Sequence, residues 1–117
     1  MEPSATRDSL TELRRGVLEF CVLALIRDRE EYAFAIVRAL GNAGGLVTSE
    51  GTIYPLLSRL RRDGLVTTRW RESASGPPRR YYRITQEGRN ALGAFVGDWE
   101  RFRGAVDALL AGAGRGR

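Results

Sequence analysis

The sequence predicts a mainly α-helical fold that contains one small β-hairpin. Apolar residues recur at three- and four-residue steps through most of the chain, which is the period of a helix that buries one face. A stretch near the middle is instead rich in β-branched and aromatic residues on either side of a Gly/Pro segment, which indicates two strands and a turn. With 117 residues, 43% of them hydrophobic, the chain can form one domain with its own core.

The composition argues against an enzyme and against a metal protein. The chain has no His and a single Cys, so it lacks an imidazole for acid–base catalysis and a ligand set for zinc or an iron–sulfur cluster. Cys21 lies in an apolar run and is expected to be a small buried hydrophobe. We therefore expect no catalytic residue, no metal and no cofactor.

Hydropathy and the N-terminus predict a cytoplasmic protein with no membrane partner. The longest apolar stretch, residues 20–26, is far shorter than the ~20 residues that a membrane span needs. The first residues include Glu2 and Pro3 and lack the basic start of a secretion signal.

The basic residues are concentrated in one segment. All 19 are Arg, and residues 48–85 carry eight of them against three acidic residues, a net charge of +5. Residues 1–47 and 86–117 carry net charges of only −1 and +1. Cations concentrated on one element are typical of a nucleic-acid site.

Three helices are predicted before the hairpin. Polar capping residues and apolar periodicity place them over 10–27, 30–40 and 49–63. Gly41 is expected to end the second helix and Gly64 the third, because glycine readily adopts the left-handed conformation that closes a helix.

Pro55 conflicts with a third helix that begins after Ser49. A proline six residues into a helix removes one backbone hydrogen bond and crowds the carbonyl of Gly51. The sequence is compatible with a helix that begins near Thr52, so that Pro55 lies in its first turn, or with a helix that is locally widened at Pro55.

The second half of the chain predicts a hairpin followed by a long helix. Strands are expected over 65–72 and 80–85, with a flexible loop over 73–78, and Thr85 is expected to cap the last helix. In that helix, large apolar residues recur at alternating three- and four-residue steps, the spacing of a coiled-coil seam. The seam consists of Leu92, Phe95, Trp99, Phe102, Val106 and Leu109. Such a patch exceeds what a monomer usually leaves exposed, so we expect a homodimer through this helix.

The order of the elements is that of a winged helix-turn-helix, in which the third helix enters the DNA major groove and the hairpin, or wing, lies across the backbone. On a helical wheel the third helix directs Ile53, Leu56, Leu57 and Leu60 to the core. Its outward residues are Gly51, Pro55, Ser58 and Arg62, flanked by Thr52, Tyr54, Arg59 and Arg61. Arg59 and Arg62 are expected to contact DNA, because arginines can bridge phosphates or bind guanine. A solvated amphipathic helix would have the same face, but it would not account for the basic pair Arg79-Arg80 beside the Gly/Pro loop.

Two stretches resemble the PadR family of bacterial transcriptional regulators. They are SEGTIYPLLSRL (49–60) with DGLV (63–66), and GPPRRYYRITQEG (76–88). The resemblance implies a winged helix-turn-helix dimer that represses genes by occupying a pseudo-palindromic operator and leaves it when an effector binds. It implies DNA contacts at Ser49, Thr52, Tyr54, Pro55 and Ser58 of the third helix and at Arg79 and Arg80 of the wing.

The single long C-terminal helix resembles the small subclass of this family that includes multidrug-sensing members. In those relatives a tryptophan at the matching place lines a cavity at the dimer centre and stacks on flat aromatic ligands. The resemblance therefore makes Trp99, together with Phe95, the candidate site for a planar aromatic effector, and the alternative is that Trp99 only packs at the interface. Trp70 is expected to fill the space between the wing and the helices.

These expectations divide the chain into three parts. Residues 1–88 form the DNA-binding domain, 89–111 the dimerisation helix and 112–117 a disordered tail. The alternative function is a winged-helix module for protein–protein contact without sequence-specific DNA binding. That alternative predicts no concentrated positive charge on the third helix and wing, contrary to the composition of residues 48–85.

Overall fold

The structure is a computed structural model and describes residues 16–46 and 49–115. The predicted start of the first helix at residue 10 and its capping residues lie outside the described residues. The described part contains four helices and three strands: α1 (16–25), β1 (Glu31–Tyr32), α2 (Ala33–Asn42), α3 (Glu50–Arg62), β2 (Val66–Ser73), β3 (Gly76–Ile84) and α4 (Gln86–Arg115). The predicted mainly α-helical fold with a small β-hairpin is confirmed, and no helix of the described residues is long and apolar enough to cross a membrane.

The first three helices and the base of the sheet share one hydrophobic core. The largest fully buried side chains are Val22, Leu23, Ile26, Ile36, Leu40, Ile53, Leu57 and Leu60. In α3, Leu56 is buried with Ile53, Leu57 and Leu60, so the apolar face predicted from the helical wheel is confirmed. The opposite face of α3 is consequently left for solvent or a partner.

The second helix begins and ends later than predicted. Residues 31–32, which the sequence places inside the helix, pair with β3 as a short antiparallel strand, Glu31 with Tyr82 and Tyr32 with Tyr81. The helix therefore starts at Ala33, and it continues through Gly41 to Asn42. The glycines that follow this helix with a positive φ are Gly44 and Gly45, so the left-handed turn comes three residues after the predicted one.

The third helix runs through its proline. It begins at Glu50 and contains Pro55 as its sixth residue, so the alternative start near Thr52 is wrong. Gly64 closes it as predicted, with φ +76°. Its N–H donates to the Arg61 carbonyl at 3.1 Å, and the Leu65 N–H donates to the Leu60 carbonyl at 2.9 Å, which is the bonding pattern of a Schellman motif.

The hairpin is longer and its turn tighter than predicted. Strand β3 already begins at Gly76, so most of the loop expected over 73–78 is strand. Two prolines are tolerated there for two reasons. The register of β2 and β3 shifts between Arg71 and Ser73 and pairs neither Pro77 nor Pro78, and β1 covers the other edge of β3 only at Tyr81 and Tyr82.

Helix α4 starts in the core and leaves it. The Thr85 hydroxyl donates to the Gly64 carbonyl at 2.7 Å and accepts from the Gly88 N–H at 3.0 Å, which confirms the predicted cap and ties the start of α4 to the end of α3. Leu92 is buried in the protomer core. The helix extends to Arg115, so residues 112–115, predicted as part of a disordered tail, are helical.

Candidate nucleic-acid interface

The outward face of α3 is exposed at nearly every position that the sequence singles out. The exposed residues are Ser49, Thr52, Tyr54, Pro55, Ser58 and Arg62. Ser49 occupies the N-cap position, but its hydroxyl lies 3.2 Å from that of Thr52 instead of capping a backbone N–H. This face offers hydroxyl groups, a phenol and an apolar proline ring, which suit close approach to base edges, and a cation at its C-terminal end.

Arg59 differs from its neighbours on α3. Its Nε lies 2.6 Å from Oε2 of Glu19 on α1, and both side chains are largely buried. The pair joins α1 to α3 inside the protomer and neutralises the Arg59 charge. The sequence predicts a DNA contact at Arg59, and DNA would have to compete with Glu19 for this guanidinium; the contact stays a prediction.

The strand register separates the two faces of the wing. Val66 and Ile84 are paired and buried, so their face of the hairpin rests on the core. Residues at even positions continue that face, and it therefore ends with the pair Trp70 and Arg80 beyond the edge of the core. The opposite face carries Arg69, Arg71, Arg79, Tyr81 and Arg83.

Trp70 does not fill a space between wing and helices, contrary to the prediction. It is 64% exposed, because the hairpin extends further than the core beneath it. The guanidinium carbon of Arg80 lies 5.2 Å from its ring centroid. Tyr82, two residues along the same face, is buried.

Arg79 is also stacked on an aromatic ring, on the other face of the wing. Its guanidinium carbon lies 4.4 Å from the ring centroid of Tyr32 in β1. Tyr32 in turn meets Tyr81 edge-on at 5.4 Å, and Arg71 covers Tyr81 at 4.4 Å. Both arginines predicted as wing contacts are therefore present at the surface, each held by a ring.

Glu30 binds two further arginines of the wing, Arg69 and Arg71. Its carboxylate accepts from Nε of Arg69 at 2.9 Å and from Nη1 of Arg71 at 3.3 Å, and its side chain is only 11% exposed. The hydrogen bond from Arg69 lowers the pKa of Glu30, and the charges of Arg69, Arg71 and Arg83 act in the same direction. The same hydrogen bond raises the pKa of Arg69. Glu30 thus fixes the wing to the segment that precedes α2 and offsets part of its charge.

An open cleft of about 540 Å³ separates α3 from the wing. The start of α2 forms its third side. Its lining includes Tyr54 and Ser58, which the sequence assigns to DNA contact, and four aromatic residues that it does not assign to that role: Tyr32, Phe34, Trp70 and Tyr82. Trp70 could have been assigned to this surface from the strand alternation, since it shares a face with Arg80, whereas no local pattern points to Tyr32.

The candidate effector and dimer residues form a ladder along α4. Phe20 of α1 stacks on Phe95 at 4.2 Å, and Trp99 and Phe102 follow at ring separations of about 6 Å. Phe95, Trp99 and Val106 are half-buried, whereas Phe102 is 56% and Leu109 77% exposed. Leu92 is already covered by its own protomer. Cys21, next to Phe20 in α1, is partly buried against the core, and this burial raises the pKa of its thiol.

The chain resembles known regulators in sequence and in structure. It is 36% identical over 83 residues to a transcriptional regulator of Mycobacterium tuberculosis, covering 71% of this chain and 76% of that protein. Its fold matches a PadR-like transcriptional regulator of Bacillus cereus with a TM-score of 0.78 at 37% identity, over 86% of this chain and 98% of the other. A PadR-like transcription factor of Bacteroides fragilis matches with a TM-score of 0.76 at 36% identity, over 87% and 98%. Since residues 22–94 match the PadR-like family itself, the chain belongs to this family of winged-helix, DNA-binding transcriptional regulators.

Proposed function

We propose that this regulator is a homodimeric repressor whose two copies join through α4, occupy a pseudo-palindromic operator and are released by a small-molecule effector. The observation that carries the proposal is the apolar surface of the second half of α4. Phe102 and Leu109 are one heptad apart on the same side of the helix and are mostly exposed. A second copy of the same helix would cover both through a two-fold interface.

Different segments of the chain would carry DNA binding and dimerisation. Residues 1–88 would bind DNA and 89–111 would dimerise. Phe95, Trp99, Phe102, Val106 and Leu109 would form the interface, with Leu92 supporting it from the core. The exposed residues of α3 would read bases, and Arg79 and Arg80 would hold phosphates. Two recognition helices related by a two-fold axis read half-sites whose centres lie about 10 bp apart, or a small multiple of that.

The assembly can be tested by breaking the apolar seam. Leu109→Glu should convert the dimer to a monomer, because two carboxylates would then face each other across an apolar interface. Sedimentation equilibrium at ~10 µM, well above a nanomolar dissociation constant, measures this. Ala111→Glu is the control, since residue 111 lies about 200° around the helix from residue 109. A wild-type monomer at that concentration would contradict the proposal.

The effector would bind between the two copies of Trp99 and would have to bind the DNA-free arrangement more tightly than the DNA-bound one. Phe95 and Phe102 extend the aromatic surface on either side of Trp99. Titration with planar dyes should quench tryptophan fluorescence, and Trp99→Ala should abolish the quenching while Trp70→Phe should not. Retained dye binding in the Trp99 variant would leave Trp99 with a packing role alone.

A further inference from the structure

The cleft between α3 and the wing is lined by aromatic rings that have no apolar cover. Tyr54, Trp70 and Phe34 are each about half exposed or more. They belong to three different elements, α3, β2 and α2, so their arrangement around one cleft is a product of the fold. Exposed rings that converge on one cleft indicate an occupant with both apolar and polar groups.

The cations of the cleft are stacked against rings. Arg80 lies over Trp70 and Arg79 over Tyr32, at 5.2 and 4.4 Å from the ring centroids. Stacking covers one face of a guanidinium and restricts its motion, but it leaves the N–H groups at the edge of the plane free to donate. Each pair is therefore prepared to bind a phosphate, which prefers guanidinium donors in this geometry.

The position of the cleft indicates what passes through it. In a winged helix the third helix lies in the major groove, and the wing lies over the neighbouring backbone. One sugar–phosphate strand separates a major groove from the adjacent minor groove. When α3 occupies the major groove, that strand must cross the space between α3 and the wing, which is the cleft.

We propose that the cleft clamps one sugar–phosphate strand of bound duplex DNA, with the Trp70 ring against a deoxyribose and Arg80 on a neighbouring phosphate. Trp70 is then a DNA-contacting residue and the support that positions Arg80. This inference rests on the DNA-binding function of the family. The charge of the cleft agrees with it, because Arg79 and Arg80 outweigh Glu50, the acidic residue in its lining.

A duplex is a better occupant than a protein partner on the same observations. The rings are interrupted by Ser58 and by the two arginines, so they form no continuous apolar patch of the kind found at the centre of a protein interface. A sugar–phosphate strand alternates apolar sugar faces with anionic groups, and the cleft alternates rings with cations. The cleft therefore matches a sugar–phosphate strand in its alternation of apolar and charged groups, whereas a protein interface would require a continuous apolar area.

The first experiment observes Trp70 directly. Trp99→Phe leaves Trp70 as the only tryptophan of the chain. The Trp99→Phe protein is titrated with a fluorescein-labelled 24-bp duplex of arbitrary sequence, with anisotropy reporting binding and acrylamide quenching reporting the accessibility of Trp70. At saturation the quenching constant should fall about twofold, since a packed interface excludes solvent and quencher from the covered part of the ring.

The two readouts separate the clamp from the function on which it rests. No rise in anisotropy at low salt, with the Trp99→Phe protein and with the wild type, would contradict DNA binding itself. A rise in anisotropy with unchanged quenching of Trp70 would overturn the clamp and leave DNA binding intact. Protection of Trp70 by an unlabelled acidic protein of similar charge, with none by the duplex, would assign the cleft to a protein partner and overturn the proposal.

The second experiment tests the coupling between ring and guanidinium. Trp70→Ala should weaken duplex binding about fivefold, the equivalent of ~1 kcal/mol, whereas Trp70→Phe keeps a ring under Arg80 and should cost less than about twofold. The loss in the Trp70→Ala, Arg80→Ala double variant should be smaller than the product of the single losses, because each group acts through the other. A double-variant loss equal to the product of the single losses would show that Trp70 does not position Arg80. Circular dichroism melting checks that each variant is folded.

Discussion

The exposed surface of α3 and the wing differs in chemistry from the exposed surface of the second half of α4. Along α3 and the wing the exposed groups are hydroxyls, arginines and rings, and the Trp70 ring is covered in part by Arg80 at 5.2 Å. Along the second half of α4 the exposed groups are large and apolar, with Leu109 77% exposed. The polar groups of α3 and the wing can remain solvated without a partner, whereas exposure of the large apolar side chains of α4 to water is unfavourable.

This difference indicates two kinds of partner. Interfaces that form and dissociate resemble the rest of a protein surface in polarity, whereas permanent interfaces resemble a core that has been divided. The proposed repressor would have to leave its operator but would not have to leave its second copy. The polar surface of α3 and the wing suits the first requirement, and the apolar second half of α4 suits the second.

The largest predicted effect lies at the start of α4, where the helix is packed against the core. A Cβ at position 88 would lie 2.2 Å from the Leu65 carbonyl oxygen and 2.7 Å from Cγ1 of Ile84, so Gly88→Ala forces the start of α4 away from the hairpin. We expect a loss of about 3 kcal/mol in the free energy of unfolding, at the upper end for an overpacked site. Urea denaturation measures it.

Gly93 is the matched control within the same helix. An added Cβ at position 93 would meet nothing within 4 Å. Gly93→Ala should therefore stabilise the protein by about 0.5–1 kcal/mol, since alanine is the better helix former. If the two substitutions had similar effects, the first turns of α4 would not be fixed to the core, and the contrast between the two halves of the helix would fail.

The next prediction distinguishes the role of the wing from that of α3 in the proposed DNA-facing surface, which consists of the exposed residues of α3 and the arginines of the wing. If Arg80 holds a phosphate as proposed, Arg80→Ala should weaken binding to all sequences alike and lower the slope of log K against log salt by about 1. Ser58→Ala removes no charge, so it should leave that slope unchanged and instead reduce the preference for an operator selected from a random pool. Binding titrations at several salt concentrations distinguish the two, and the reverse pattern would exchange the roles of wing and helix.

Sequence reasoning predicted the features that depend on neighbouring residues. The buried face of α3 follows from helical periodicity, and the Gly64 and Thr85 helix ends follow from the chemistry of single residues within one turn. The exposure of Tyr54 and Ser58 was predicted for the same reason, because burying one face of a helix leaves the other outward.

The features that were missed depend on distant parts of the chain. Strand β1 exists because β3, about 50 residues later, pairs with Tyr32. Arg59 of α3 is paired with Glu19, which lies on another helix. The exposure of Trp70 depends on how far the hairpin extends past the core. The first two have no local sequence signal, and for Trp70 the strand alternation gives the face but not the exposure. All three alter the candidate site.

The smallest predicted effect concerns the ion pairs that shape the DNA-facing surface. Glu30 holds Arg69 and Arg71, and the hydrogen bond from Arg69 lowers the Glu30 pKa in the folded protein. A lowered pKa means that the carboxylate stabilises the fold fully above its unfolded value of about 4.3 and loses this contribution as the pH falls through the folded value. Glu30→Gln should therefore lower the urea midpoint at pH 7 and have progressively less effect below pH ~4.

Asp98 provides the comparison on the other surface. It pairs with Arg101 on α4, where both side chains are about three-quarters exposed. Solvent screens such a pair, so Asp98→Asn should change the urea midpoint little at either pH. Because Glu30 also neutralises two wing arginines, Glu30→Gln should strengthen duplex binding at pH 7 while it weakens the fold, and Asp98→Asn should do neither. A Glu30 variant that lost stability without gaining affinity would show that Arg69 and Arg71 take no part in DNA binding, and the cationic surface of the wing would then be confined to Arg79 and Arg80.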